Sequence, residues 1–193
     1  MSIKNPPTYN SPLLNPLIGA QSSSDKGNEM TSETSTILAG APMPAATVHI
    51  KSESGIDAIE TTEYFGKGLT VMFVVPGAFT PTCSAKHLPG FLEQADKFRA
   101  AGFDRIACLA VNDAHVMRAW GDANNTEGVI DMLADPRCEF ADALGITRDM
   151  GPVMGRRAAR CAMIVENGVV KKVFLEEPRA FEVSSATHVL ANL

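Results

Sequence analysis

The chain has 193 residues, of which 45% are hydrophobic and 20% are charged, a balance typical of a globular protein with a buried core. Acidic side chains outnumber basic ones by 22 to 17, so the formal charge of -5 gives no general attraction to phosphate backbones or anionic lipids. No stretch approaches the roughly 18 uninterrupted apolar residues that a membrane-spanning helix requires. We therefore expect neither a nucleic acid nor a membrane as a partner.

Residues 1–36 differ in composition from the rest of the chain. They are rich in Ser, Thr, Pro and Asn, and no apolar period is sustained. Such a segment buries too little apolar surface to offset the entropy lost on ordering, so we expect a disordered N-terminal extension followed by one domain over residues 37–193. The extension has no apolar core of secretory length and lacks the arginines of a mitochondrial presequence.

The first half of the domain alternates strands with helices. The apolar, β-branched run Leu69–Val75 predicts a strand buried on both faces, and Arg105–Val111 predicts a second. Apolar residues at helical spacing between them predict a helix that ends near Gly102, with Pro89 in its first turn or at a kink. Further elements are predicted as a helix beginning within 116–120, a strand at 129–134 and a short helix at 138–144.

The end of the domain predicts an antiparallel hairpin and a closing helix. Two strands, 159–165 and 169–175, meet at Asn167-Gly168, the type of dipeptide favoured in a tight type I′ turn. Ser184 or Ser185 then caps a last helix that runs to Leu193. Parallel crossovers followed by such a hairpin define an α/β domain with a mixed central sheet flanked by helices, as in the thioredoxin-like fold.

The four cysteines are unequal candidates for thiol chemistry. They form no CxxC pair and no zinc-finger spacing, so we read them as reduced thiols of an intracellular, cytoplasmic protein. Cys108 and Cys161 lie inside predicted core strands, where a free cysteine behaves as a small buried apolar residue. Cys138 lies near a helix start, where we expect partial exposure.

Cys83 follows the carboxyl end of a buried strand, which is where reactive groups collect in open α/β sheets. It should lie in the first turn of the next helix, where the helix dipole and unpaired backbone N–H groups favour a thiolate. We expect its sulfur at the mouth of a shallow pocket. His87, one helical turn further on, is interpreted as a hydrogen-bonded structural histidine, and no metal or other cofactor is expected.

The basic segment Arg156–Arg160 leads into the first hairpin strand. By composition alone it reads as a solvated loop. Alternatively, one guanidinium crosses the sheet end to hold the Cys83 thiolate and to donate hydrogen bonds to an oxyanion or peroxide oxygen. Arg160 is the best placed of the three arginines for that role.

The stretch Val75–Ser84 resembles the active-site loop of peroxiredoxins, whose signature Pro-x-x-x-Thr-x-x-Cys is met by Pro76, Thr80 and Cys83. The resemblance spans residues 40–193 and is closest to the type 5 (type II) branch. The segments that carry it further are His87–Phe91, Leu109–Ala114, Trp120-Gly121, Leu133–Pro136, Arg157–Met163 and Glu182–Ala186.

This resemblance implies a role for each residue of the signature. Cys83 would be the peroxidatic cysteine, Thr80 would orient the peroxide, Pro76 would shield the thiolate, and Arg160 would be the active-site arginine. The implied activity is reduction of hydrogen peroxide and organic hydroperoxides through a sulfenic acid, an antioxidant function in cell redox homeostasis. No metal or organic cofactor is needed.

The resemblance also bears on the reductant and the assembly. Animal members of this branch carry a resolving cysteine where this chain has Val183 before Ser184, so we expect one-cysteine behaviour. Cys108 matches a second cysteine position of the branch but would need local opening to reach Cys83. The implied reductants are glutaredoxin with glutathione, or thioredoxin, and the implied assembly is a homodimer.

The same residues leave three other functions open. A thiol–disulfide oxidoreductase shares the fold, but it normally needs a CxxC pair, and position 80 is Thr rather than Cys. A non-turnover peroxide sensor or holdase would use Cys83 oxidation to alter partner binding. A cysteine hydrolase is the weakest of the three, because no His with Asn or Asp is evident around Cys83.

Overall fold

In the computed structural model, which describes residues 36–193, a mixed sheet of seven strands forms the centre of the fold. The predicted disordered extension, except for Thr36, lies outside the described residues. The strands of this sheet are β1 (Thr47–Lys51), β2 (Ile56–Glu60), β3 (Leu69–Val74), β4 (Arg105–Ala110), β5 (Asp131–Ala134), β8 (Cys161–Glu166) and β9 (Val169–Leu175). Two short strands, β6 (Thr147–Asp149) and β7 (Arg156–Ala158), form a separate ribbon.

The strand order is β2-β1-β5-β4-β3-β8-β9. The three central strands β5, β4 and β3 are parallel, whereas β8 pairs with β3 and β9 pairs with β8 in antiparallel fashion. The hairpin turn has positive φ at both Asn167 and Gly168, as a type I′ turn requires. The mixed sheet flanked by helices is therefore confirmed.

Helices cover both faces of the sheet. They are α1 (Thr61–Tyr64), α2 (Leu88–Glu93), α3 (Ala95–Ala100), α4 (Ala114–Ala123), α5 (Glu139–Ala143), α6 (Gly151–Met154) and α7 (Ala186–Ala191), and a π-helical segment, Cys83–His87, leads directly into α2. Among the residues the structure describes, none of these helices has the length and apolar character needed to span a bilayer.

The continuous apolar run of β3 reflects burial on both of its faces. Val71 and Phe73 pack into one cluster with the side chains of α2, α3 and α4, whereas Met72 and Val74 pack into a second cluster on the opposite face. Alternating side chains of one strand thus enter two cores, which is why Val71–Val74 contains no polar residue.

Several boundaries differ from the sequence expectation. The hairpin β1–β2 was not predicted, because β2 is largely exposed and its sequence, IDAIE, has no continuous apolar run. The predicted helix before Gly102 is two helices, broken at Gln94, whose backbone leaves the helical region. The final helix ends at Ala191, and Ser185 is its cap, accepting a hydrogen bond from the His188 N–H.

Candidate active site

The loop after β3 delivers Cys83 to the first turn of a helix. Helical conformation begins at Pro81, and the Ser84 N–H donates to the Thr80 carbonyl at 3.0 Å. Pro81 suits this position, because the N–H that proline lacks has no helical partner in a first turn. The π-helical segment then begins at Cys83 itself, and single π turns inside helices are frequent at functional sites.

The side chain of Cys83 is buried, with 0% of its surface exposed. The expectation of a sulfur at the mouth of a shallow pocket is therefore wrong. Cys83 points into the apolar cluster that contains Phe73 and Phe91, and its sulfur is also covered by the guanidinium of Arg160. The helix start places the residue as predicted, but the direction of the side chain depends on packing that the local sequence does not reveal.

Arg160 lies at the centre of the site. Its Nη2 donates to Cys83 Sγ at 3.5 Å, and its Nη1 donates to His87 Nδ1 at 3.0 Å. One planar, permanently charged group thus bridges the thiol and the imidazole. The other two arginines of the basic segment turn elsewhere: Arg156 pairs with Asp142, and Arg157 donates to the carbonyl oxygens of Met154 and Pro76.

His87 is fully buried and acts as the support of Arg160. Its Nε2 lies 3.1 Å from the carbonyl oxygen of Ser184, which can only accept, so Nε2 carries the proton and Nδ1 accepts from Arg160. Burial, reinforced by the Arg160 charge, lowers the pKa of His87 to about 3. The imidazole is therefore neutral at physiological pH, in agreement with the predicted structural, hydrogen-bonded histidine.

Pro76 and Thr80 shape the loop in front of Cys83. The Thr80 hydroxyl donates to the Gly77 carbonyl at 2.9 Å, which leaves its oxygen lone pairs as acceptors. The Pro76 carbonyl accepts from Arg157 Nη1 at 3.4 Å. Asn112, two residues after β4 ends, accepts from the Ala78 N–H through its side-chain oxygen at 2.8 Å.

Residues from the end of the chain complete the surroundings of Arg160 and His87. The ring of Phe181 lies 5.0 Å from the His87 ring, and the Arg160 guanidinium carbon lies 5.6 Å above the Phe181 ring. Glu176 binds the segment that carries Phe181 and Ser184. Sequence reasoning missed Phe181 and Ser184 because their contacts with His87 span about a hundred positions. Asn112 had a local signal, since it follows the carboxyl end of a predicted strand, where functional groups collect.

The remaining cysteines are buried, free thiols. Burial raises the pKa of Cys108 well above its ordinary value and that of Cys161 to about 12. Cys138, which we expected to be partly exposed, is only 5% exposed, and burial also raises its pKa. Its left-handed backbone, with φ at 61°, precedes α5 and leaves the sulfur 3.9 Å from the Arg156 carbonyl oxygen.

Comparison with known proteins identifies the family. The redoxin family model matches residues 38–190. Rice chloroplastic peroxiredoxin-2E-2 is 42% identical over 82% of this chain and 73% of its own length. The structure of reduced Prx3 in complex with H₂O₂ from Vibrio vulnificus superposes with a TM-score of 0.79, at 45% identity over 81% of this chain and 99% of that one. Peroxiredoxin 5 from Alvinella pompejana gives a TM-score of 0.71, at 32% identity over 80% and 96%.

These matches cover the region that contains the sheet, the Cys83 loop and Arg160. The chain therefore belongs to the redoxin family and, within it, to the type 5 peroxiredoxins. Its fold is thioredoxin-like, and it is a thiol peroxidase, an enzyme that reduces peroxide at the expense of a thiol.

Proposed function

We propose that the enzyme reduces hydrogen peroxide and organic hydroperoxides through Cys83. The Cys83 thiolate attacks the nearer peroxide oxygen, so that an S–O bond forms as the O–O bond breaks. The departing oxygen takes up a proton and leaves as water or an alcohol, while the sulfur remains as a sulfenic acid. Two thiol equivalents then return Cys83 to its reduced form and release a second water.

The observation that carries this proposal is the 3.5 Å contact between Arg160 Nη2 and Cys83 Sγ. A guanidinium stays protonated throughout the working pH range, so it supports the thiolate without a proton transfer of its own. Its donors also stabilise negative charge on the departing oxygen once peroxide lies beside the sulfur. Because His87 holds the second terminal nitrogen, the guanidinium keeps this orientation whenever the site is closed.

Thr80 and Pro76 have supporting roles in the same proposal. The Thr80 hydroxyl is oriented by its bond to Gly77, and its free lone pairs accept a hydrogen bond from the peroxide. Pro76 is half-buried and presents no N–H to the site, so it limits the access of water to the thiolate. Neither role requires a metal or an organic cofactor.

The burial of Cys83 adds a step to the proposed cycle. A residue with 0% exposure offers no path to a water-sized molecule, so peroxide enters only after Arg160 or the Pro76–Thr80 loop moves. Local openings of this kind occur well below the free energy of global unfolding. The sulfenic acid then needs the same opening to meet its reductant.

We propose that the reductant comes from another molecule, as glutaredoxin with glutathione or as thioredoxin, in a reducing compartment such as the cytoplasm. Cys108 and Cys161 lie within core strands with raised pKa values, which disfavours either as an internal resolving thiol. Position 183, where a resolving cysteine occurs in animal relatives, is valine.

We also propose a homodimer. Phe79 is 59% exposed beside the Cys83 loop, and Val153 is 92% exposed on α6. The loop and α6 are joined through Arg157, which donates to the Pro76 and Met154 carbonyls. Exposed large apolar side chains on two connected segments favour contact with a second protein surface.

Turnover kinetics test the proposal against its alternatives. Wild-type enzyme should consume hydrogen peroxide catalytically with glutaredoxin, glutathione and glutathione reductase, or with thioredoxin and its reductase. Cys83→Ser should abolish consumption, and Cys138→Ser, which removes another buried thiol, is the matched control. A single stoichiometric oxidation without turnover would indicate a sensor or holdase, and disulfide reduction faster than peroxide reduction would indicate an oxidoreductase.

A further inference from the structure

One oxygen of Glu176 collects three hydrogen bonds. Oε1 accepts from the Glu182 N–H at 2.7 Å and from both the N–H and the hydroxyl of Ser184 at 2.8 Å. Glu176 is only 8% exposed, and Ser184 is fully buried. Burying a carboxylate is costly unless it is hydrogen-bonded, so three donors on one oxygen fix the position of Ser184 firmly.

Ser184 passes this constraint to the active site through its carbonyl oxygen. That oxygen accepts from His87 Nε2 at 3.1 Å, which keeps the imidazole proton on Nε2. Nδ1 is then an acceptor for Arg160 Nη1 at 3.0 Å, and Arg160 Nη2 reaches Cys83 Sγ. A hydrogen-bonded path thus runs from Glu176 to the thiol.

A second path joins Glu176 directly to Arg160. The Glu176 N–H donates to the Arg160 carbonyl oxygen at 3.0 Å, next to the end of the β8–β9 pair. The segment that Glu176 holds also carries Phe181, whose ring packs against His87 and under the Arg160 guanidinium. Glu176 therefore holds the backbone of Arg160 and, through this segment, the partners of its side chain.

We propose that Glu176 is a positioning residue for the peroxide reaction, acting through Ser184 and His87 on Arg160. The inference rests on the proposed function of Cys83 and Arg160. Without the Glu176 carboxylate, the Ser184 carbonyl is no longer fixed, and His87 can carry its proton on Nδ1. That tautomer presents a donor to the Arg160 N–H, so the guanidinium turns away from Cys83.

The test compares Glu176→Ala and Glu176→Gln with Glu177→Ala, an exposed neighbour that loses the same charge. We expect Glu176→Ala to slow Cys83 oxidation by between about tenfold and about a hundredfold, as loss of an outer-layer partner does elsewhere. Glu176→Gln keeps an acceptor oxygen and should recover part of the rate. Glu177→Ala should react like wild type.

Nitrogen-15 NMR of the imidazole measures the His87 tautomer. A purely structural role of Glu176 in the fold would leave that tautomer unchanged. Wild type and Glu177→Ala should show His87 protonated at Nε2 alone, whereas Glu176→Ala should show a mixture of tautomers. A wild-type oxidation rate in folded Glu176→Ala, or a slower rate with an unchanged tautomer, overturns the inference. If Glu176→Ala does not fold, Ser184→Ala and Glu176→Gln undergo the same two measurements.

Failure of the two proposals can be told apart. Wild-type enzyme that does not oxidise Cys83 with peroxide would contradict the proposed function, whereas the His87 tautomer would still report on Glu176. Wild-type enzyme that oxidises Cys83 while folded Glu176→Ala matches it would contradict the positioning role alone.

Discussion

Arg160 faces Cys83 and His87 with its two terminal nitrogens, at 3.5 Å from the sulfur and 3.0 Å from Nδ1. The two contacts share one rigid plane, so the position of the imidazole determines the direction of the donor that reaches the thiol. A buried, neutral histidine thus holds the guanidinium that contacts the Cys83 sulfur in this type 5 peroxiredoxin.

Replacing Arg160 should slow the reaction of Cys83 with peroxide. Arg160→Ala removes a charged donor aimed at the negative charge that develops on the departing oxygen. Loss of one such donor lowers the rate constant about a hundredfold or more in comparable sites. Stopped-flow oxidation measures this rate, and Arg99→Ala, an exposed arginine paired with Asp96, is the charge-matched control. A wild-type oxidation rate in folded Arg160→Ala would contradict the role of Arg160.

His87 should make the fold sensitive to acid. Its folded pKa of about 3 lies below the ordinary histidine value of 6.5, so between these pH values the unfolded chain binds a proton that the folded chain does not. The contribution of His87 to the free energy of unfolding is therefore complete above pH 6.5. Below that pH the free energy of unfolding falls by up to about 1.4 kcal/mol per pH unit. Urea unfolding at several pH values measures this slope.

The matched variant for this measurement is His87→Gln, which keeps a donor and an acceptor but does not titrate. It should be less stable than wild type at pH 7 and should lose less stability between pH 6.5 and 4. Burial raises the pKa of Asp135, so this residue makes the free energy of unfolding rise as pH falls. Its contribution is the same in both proteins and cancels in the difference between them. Parallel slopes for the two proteins would contradict the buried neutral state of His87.

Access to Cys83 should be limited by an opening motion. Because the residue has no exposed surface, a bulky maleimide should react at a rate that saturates with reagent concentration, at the rate of opening. In urea-unfolded protein the rate of this modification should rise linearly with maleimide concentration. If the rate in the folded enzyme is also linear in maleimide concentration and as fast as in urea, the sulfur is open to solvent.

Trp120, the single tryptophan of the chain, should report the oxidation state of the site. Its Nε1 donates to Ser84 Oγ at 3.0 Å, one residue from Cys83, so rearrangement of the first helical turn changes the surroundings of the indole. Peroxide should change Trp120 emission in wild type. Ser84→Ala should shift the resting emission and destabilise the fold by about 1–3 kcal/mol, since it leaves a buried donor unpaired. Ser54→Ala, on an exposed loop, should do neither.

The sequence predicted the parts of this molecule whose signals are local. The buried strands, the Asn167-Gly168 turn and the helix start at Cys83 each follow from adjacent residues, and all are present. The roles of Pro76, Thr80, Cys83 and Arg160 came from the loop signature and from the position of Arg160 before a strand, and they remain proposals.

Burial and long-range contacts were beyond the reach of local patterns. Cys83 was expected to be accessible and Cys138 to be partly exposed, yet both are buried, because side-chain direction depends on elements that pack from elsewhere in the chain. Glu176 and Ser184 read as ordinary residues of a loop and a helix start. Their connection to His87 exists only after the C-terminal segment folds back across the sheet end.

The most direct test of Cys83 as the reacting thiol is mass spectrometry of all four cysteines after one equivalent of hydrogen peroxide, with a sulfenic-acid trap present. We predict one trapped sulfenic acid per chain, on Cys83, and none in Cys83→Ser. A trapped adduct on Cys108, Cys138 or Cys161 in place of Cys83, or undiminished peroxide consumption by Cys83→Ser, would contradict the mechanism.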